Sequence, residues 1–168
     1  LKTVLQIFAE EPEAEVFFGP DTYMGENLRA LFTSLTKLGD EQVRALHPAH
    51  DRASVARSLP RFHFFEQGNC VVHHMFGASV VERVRRGYAD AHITAHLEVP
   101  GEMFELALEA QREGRGVVGS TSNILEYIGS TLANADAESG PLRFVLGTEA
   151  GMITAIVRRV REALASRQ

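Results

Sequence analysis

Leu1, Val4, Leu5 and Phe8 stand at helical spacing, and the same three-and-four rhythm returns six times along the chain. It recurs in Leu28, Leu31, Phe32 and Leu35, in Val43 and Leu46, and in Val72, Phe76, Val80 and Val84. The later sets are Met103, Phe104, Ala107 and Leu108, then Ile124, Leu125, Ile128 and Leu132, then Met152, Ile153, Ile156, Val157, Val160 and Leu164. Each set lines one face of an α-helix. Between them lie short apolar or alternating runs at residues 15–19, 61–66, 91–98, 115–118 and 142–146, bounded by Gly, Pro, Asp or Glu, which read as strands. Strand, turn and helix recurring at this spacing require parallel strands joined by right-handed crossovers, hence an α/β layered fold.

The punctuation refines this picture. Gly25 reads as the opening of the second helix, which closes near Leu38 and Gly39. Asp40 is the expected cap of a short helix, and Asp51 of one or two further helical turns. Residues 47–60 are polar with prolines near both ends, and read as an insertion on the surface. Leu1 already belongs to a helical stripe and is not an initiator Met, so the chain is expected to be part of a longer protein. Two α/β units are expected, residues 1–70 ending at Cys70 and residues 71–168.

Composition narrows the function classes. A hydrophobic share of 45% in 168 residues suffices for one domain or two small repeats. The net charge of −5 argues against a duplex nucleic-acid surface, which needs clustered Lys and Arg. No apolar run approaches the roughly 18 residues of a membrane span, and no stretch reads as a signal peptide, so a soluble intracellular protein is expected. One cysteine among 168 residues makes no internal disulfide, which fits a reducing compartment.

That cysteine stands in Gly68-Asn69-Cys70-Val71-Val72-His73-His74, between a strand and the helix expected from Val72 onward. The carboxyl edge of a parallel sheet is where ligands bind, because strand ends and helix N-termini leave a crevice with free N–H groups. Four strand-end turns reach that edge. They carry a soft thiolate (Cys70), imidazoles (His73, His74, His96), carboxylates (Glu98, Glu149) and hydroxyls (Ser120, Thr121, Thr148). Read along a strand, His96 and Glu98 fall on one side, a pairing suited to acid/base work or to a metal. Each feature also has a plainer reading: Cys70 as a buried small apolar group, His73 and His74 as a solvent-facing pair, and Thr121 or Ser122 as a helix cap. His47, His50, His63 and His92 read as structural or surface residues.

Taken together these turns resemble the quinolinate synthase family. The resemblance rests on Val16-Phe17-Phe18-Gly19-Pro20-Asp21-Thr22-Tyr23-Met24-Gly25, Gly68-Asn69-Cys70-Val71-Val72-His73, His96-Leu97-Glu98-Val99-Pro100-Gly101, Gly119-Ser120-Thr121-Ser122 and Gly147-Thr148-Glu149-Ala150-Gly151. The wording is nearest to the long form found in plants, algae and some bacteria. It departs from shorter members at Leu97 and Val99, where those commonly have Pro and Cys.

The resemblance implies three similar αβα units with parallel sheets around a pseudo-threefold axis, each giving one thiolate to a 4Fe-4S cluster. Cys70 would be the middle ligand, with the others outside this chain, and the chain alone would be inactive. The implied reaction condenses iminoaspartate with dihydroxyacetone phosphate to form quinolinate for NAD biosynthesis, with L-aspartate oxidase as a supplier of iminoaspartate. Glu98, His96 and His73 are the implied catalytic residues, and His96, Leu97, Glu98, Ser120 and Thr121 the substrate-binding ones. The implied compartment is the cytoplasm in a bacterium and the plastid in a plant or alga. Two rivals remain at this point: a zinc hydrolase using His73, His96 and Glu98, and a non-catalytic phosphate- or dicarboxylate-binding module.

Overall fold

Val4, Leu5 and Phe8 of helix α1 (Lys2–Glu10) and Leu28, Phe32 and Leu35 of helix α2 (Thr22–Leu35) are buried, as their spacing predicts. The computed structural model describes residues 1–68, 70–135 and 140–165, which fall into two compact units, Leu1–Asn69 and Cys70–Gln168. In the first unit, strands β1 (Val16–Phe18) and β2 (Phe62–Phe64) pair in parallel, Val16 opposite Phe62 and Phe18 opposite Phe64. These four side chains share one face of the sheet and pack on α1, α2, Val43 of α3 (Asp40–Leu46) and Val55 of α4 (Arg52–Ser58).

Several local expectations are corrected here. Helix α2 begins at Thr22 rather than Gly25, because the Asp21 carboxylate accepts the Met24 N–H at 2.7 Å and caps it. Gly25 lies inside the helix, where a Cβ would fall 2.4 Å from the Phe64 Cβ; its missing side chain lets α2 lie against β2. The cap of α3 is Gly39, while the Asp40 carboxylate accepts the Arg52 N–H at 3.1 Å. Asp51 does cap α4, accepting the Ser54 N–H at 2.7 Å. Residues 47–60, expected at the surface, send Val55 into the core at 0% exposure and bury His50. The His50 ring reaches Leu5 O at 2.7 Å and Ser54 Oγ at 3.1 Å, so both nitrogens are partnered and a polar segment can sit inside.

In the second unit, β3 (His92–His96) is flanked on one side by β4 (Gly116–Gly119) and on the other by β5 (Phe144–Gly147), all parallel. Helix α6 (Gly101–Arg112) joins β3 to β4, and α7 (Thr121–Asn134) precedes β5. The two crossovers step in opposite directions, so right-handed connections put α6 and α7 on opposite faces. Packing agrees with this. A Cβ on Gly116 would meet the Ala110 Cβ at 2.9 Å, and one on Gly147 the Met103 Cε at 2.9 Å, so α6 presses on the glycine face. On the other face Val117, Phe144 and Leu146 pack against Ile124 and Ile128 of α7 and Met152 and Ile156 of α8 (Met152–Ala165). The architecture is α/β, with parallel sheets and flanking helices. The helix expected from Val72 starts instead at Ala78 as α5 (Ala78–Gly87). Residues His73–Met75 form a separate short 3-10 turn, and Val72 is 44% exposed. Asn69 lies outside the described residues.

Two outcomes are expected from this packing. Gly25→Ala gains roughly 1 kcal/mol of helix propensity but overpacks a contact that costs roughly 1–3 kcal/mol, because the Phe64 Cβ cannot rotate away. Chemical denaturation should therefore show a net loss of up to about 2 kcal/mol. His92 stacks on Phe144, with ring centroids 5.1 Å apart, and its Nδ1 lies 2.7 Å from Tyr127 Oη. Burial, and then the Arg115 charge, lower its pKa from the ordinary 6.5. The unfolded chain then binds the proton more readily, so the stability from neutral His92 is fully present above about 6.5 and is lost as pH falls below it. Thermal unfolding of His92→Phe should show a weaker fall in melting temperature over that window than the parent chain.

Candidate functional site

The connection leaving β3 runs to the α6 face, while those leaving β4 and β5 run to the α7 and α8 face, so the chain parts around the carboxyl end of β3. That is the geometry of a ligand crevice in a parallel sheet. His96 is the last residue of β3. Beyond it the Leu97 N–H donates to Gly119 O at 3.2 Å, and the Val99 N–H turns back to His96 O at 3.3 Å. Val99 is 0% exposed and pins this turn. Glu98 is thereby folded over His96: its N–H donates to His96 Nδ1 at 3.4 Å, and its Oε2 lies 3.7 Å from the same nitrogen. The expected side-by-side placement is thus reached by a turn, since the strand stops before Glu98. With Nδ1 accepting, the neutral His96 ring carries its proton on Nε2.

Cys70 and His73 come to the same place. The His74 N–H donates to Cys70 O at 3.0 Å, closing a tight turn that leaves His74 exposed and His73 buried at 6% exposure. The His73 ring lies parallel to that of His96, 5.0 Å away with 4° between planes. Its Nδ1 is 3.0 Å from Glu98 Oε2, but not along a hydrogen-bonding direction. Neither His73 nitrogen has a hydrogen-bond partner among the described residues. Leaving a buried polar group unpaired costs about 1–3 kcal/mol, which packing alone gives no reason to bear.

One ligand atom each from Cys70, His73 and Glu98 lies within 4.8 Å of the others. A thiolate, an imidazole and a carboxylate together form a donor set for a transition metal. The trio expected for zinc was His73, His96 and Glu98. Here Cys70 joins His73 and Glu98, while His96 stacks beside His73.

The hydroxyls divide into different roles. Ser120 caps α7: the Asn123 N–H donates to Ser120 Oγ at 3.4 Å, and the Ser120 N–H and Oγ–H donate to Asn123 Oδ1 at 3.0 and 2.8 Å. The cap is therefore neither Thr121 nor Ser122, which are exposed in the first turn. The Ser-x-x-Asn spacing was the signal that sequence reasoning passed over. Because His96 pairs with Gly119, this helix N-terminus begins beside the His96 turn, where its N–H groups suit an anion. Thr148 is buried and donates to Met152 Sδ at 3.1 Å, and Glu149 is exposed. His47 lies 2.9 Å from Gln6 Oε1 and His63 lies 2.5 Å from Glu15, both within the chain's first unit.

Known proteins resemble the chain over nearly its whole length. The sequence matches the family described as "Quinolinate synthetase A protein" over residues 2–166. It is 53% identical over 171 residues to "Quinolinate synthase, chloroplastic" of Nicotiana tabacum, covering 99% of this chain and 23% of that protein. The protein of the same description from Arabidopsis thaliana is 49% identical over 168 residues, again 99% and 23%. A quinolinate synthase of Sulfurisphaera tokodaii is 31% identical over 96 residues, 56% of this chain and 26% of that protein. The chain thus spans about 23% of the length of the plant relatives it matches.

The cap assignment separates two neighbouring hydroxyls. Ser120→Ala should lower stability by about 1 kcal/mol in denaturant titration, and Thr121→Ala should leave it unchanged. A loss in Thr121→Ala with none in Ser120→Ala would return the cap to Thr121.

Proposed function

The chain belongs to the quinolinate synthetase A protein family, and from that premise we propose that it is the central part of a quinolinate synthase acting in NAD biosynthesis. In this reading the enzyme condenses iminoaspartate with dihydroxyacetone phosphate, with loss of phosphate and water, to close the pyridine ring of quinolinate. The observation that supports it most is the buried His73 ring beside Cys70 and Glu98, whose nitrogens have no hydrogen-bond partner among the described residues and whose Nδ1 lies 3.0 Å from Glu98 Oε2. The donor set fits a metal group: Cys70 would supply one thiolate to a 4Fe-4S cluster, the other thiolates coming from residues outside this chain. Such a cluster, when bound, supplies an electrophilic iron for substrate oxygens.

The chain's own residues then have distinct tasks. Glu98 takes the protons released next to the carbonyl and imine carbons, its Oε2 being steered by the two imidazoles beside it. The Nε2–H of His96 and the ring nitrogens of His73 hold carboxylate and hydroxyl oxygens of the substrate. Thr121 and the N-terminus of α7 hold an anionic group, with Ser120 setting the helix start and Leu97 lining the same turn. Iminoaspartate hydrolyses in water, so a supplier such as L-aspartate oxidase acting close by fits this chemistry. The residues 1–168 alone, lacking the further thiolates, would be inactive. A plastid location suits a plant or algal source and the cytoplasm a bacterial one. No helix among the described residues is long and apolar enough to cross a membrane.

A second reading, a mononuclear zinc site on Cys70, His73 and Glu98, rests on the same 4.8 Å cluster of donor atoms. The test uses the full-length polypeptide, prepared and reconstituted without oxygen. Cys70→Ser should lose iron, sulfide and the cluster absorbance together. Glu98→Gln keeps size and hydrogen-bonding reach, so it should retain the cluster while turnover falls by about 10²-fold or more. A normal cluster spectrum in Cys70→Ser overturns the ligand assignment, and zinc without iron or sulfide in the parent protein establishes the second reading.

A further inference from the structure

Arg61 ends the turn before β2 with a guanidinium that the fold only partly satisfies. Its side chain is 22% exposed, its Nη1 reaches Glu13 Oε2 at 3.3 Å, and its Nε is closed to solvent with no hydrogen-bond partner among the described residues. Glu13 gives little compensation, because its own side chain is 92% exposed and water screens a pair of that kind. A buried donor on a charged group is normally paired. Arg61 also adjoins a cavity of about 240 Å³ between the end of α1 and α4, with Phe8 in its wall and a second guanidinium, that of Arg57, beside it. The other side-chain donors of that wall are spent. His50 is held by Leu5 O and Ser54 Oγ, the Ser54 hydroxyl by Asp51 O at 2.9 Å, and the Ser58 hydroxyl by Ser54 O at 3.0 Å. The cavity therefore offers a ligand two cations against one exposed carboxylate.

In a guanidinium the Nε–H and one Nη–H point the same way and form a fork for two oxygens of one anion. Glu13 sits on Nη1, so the fork of Nε and Nη2 is left over. A carboxylate is used up by one such fork, whereas a phosphate group has oxygens for both guanidinia. Arg61 directly precedes Phe62, the first residue of β2, so the cavity lies at the amino end of that strand and not at its carboxyl end. We propose that this cavity binds a phosphate group, as inorganic phosphate or as a phosphomonoester, with Arg61 turning its Nε and Nη2 fork onto two oxygens and Arg57 holding a third. Glu13 swings into water as the anion enters. The proposal uses no residue of the candidate site above and does not rest on the reaction proposed there.

Equilibrium dialysis of the full-length polypeptide against radiolabelled inorganic phosphate should show a bound equivalent with a dissociation constant of about 1 mM or lower. Arg57 is exposed on α4, so Arg57→Gln should fold as the parent does and weaken that equivalent by about tenfold or more, the effect of losing one charge-assisted bond. Glu13→Gln should tighten it, because the competing carboxylate is gone. Displacement by glycerol phosphate identifies the ligand as a phosphomonoester, and displacement by inorganic phosphate alone identifies it as the free ion. Parent protein that binds no phosphate in this range overturns the proposal, as does unchanged binding in Arg57→Gln. An equivalent lost in Thr121→Ala but kept in Arg57→Gln belongs to the start of α7 and overturns it too. Acetate that competes as well as phosphate does removes the claim for a phosphate group.

Discussion

The Val99 N–H that bonds back to His96 O at 3.3 Å ends the central strand of the second unit, and the candidate site is arranged around that ending. A strand continued by two residues would set Glu98 beside His96 on one face, some 6–7 Å farther along at the usual rise. The turn instead lays the Glu98 carboxylate between two imidazoles, 3.0 Å from His73 Nδ1 and 3.7 Å from His96 Nδ1. It holds because Val99 is fully buried, so the turn is tied to the core at the point where it reverses.

His73 is where the molecule bears a cost. A buried imidazole with no hydrogen-bond partner opposes folding by an amount comparable to a large part of one ordinary mutational effect. His50, equally buried in the first unit, bears no such cost, because Leu5 O and the Ser54 hydroxyl satisfy both its nitrogens. The two buried histidines thus differ in how their ring nitrogens are satisfied among the described residues. One ligand atom each of Cys70, His73 and Glu98 lies within 4.8 Å of the others, which puts the soft donor beside that imidazole.

The two sheets differ in how far they are finished. In the second unit, Gly116 and Gly147 bring α6 to within contact of the strands on one face, while α7 and α8 cover the other. The first sheet has its glycine at Gly25, in the helix rather than the strand, and among the described residues its core cluster packs on one face. Phe17 and Phe65 stand exposed on its other side, an uncommon situation for a parallel sheet.

Periodicity determined most of the architecture from sequence. Apolar spacing of three and four placed the faces of α1, α2, α6 and α7, while on α8 Met152 and Ile156 are buried but Ile153, Val157 and Leu164 are exposed, and the alternation of strand, turn and helix required parallel sheets. The neighbourhood of His96 and Glu98 at one strand end was also legible, whereas the strand before Cys70 and His73 belongs to the other sheet. What remained hidden was everything set by chain-distant contact. The start of α5 at Ala78, the burial of Val55 and His50 in a polar segment, the place of Gly25 against Phe64 and the turning of Thr148 to Met152 depend on partners far away in sequence or on one local turn. The meeting of Cys70 with Glu98 belongs to the same kind. A sequence pattern reports which face of an element seeks burial, but the atom that arrives to meet it is decided by the packing of elements the pattern cannot yet see.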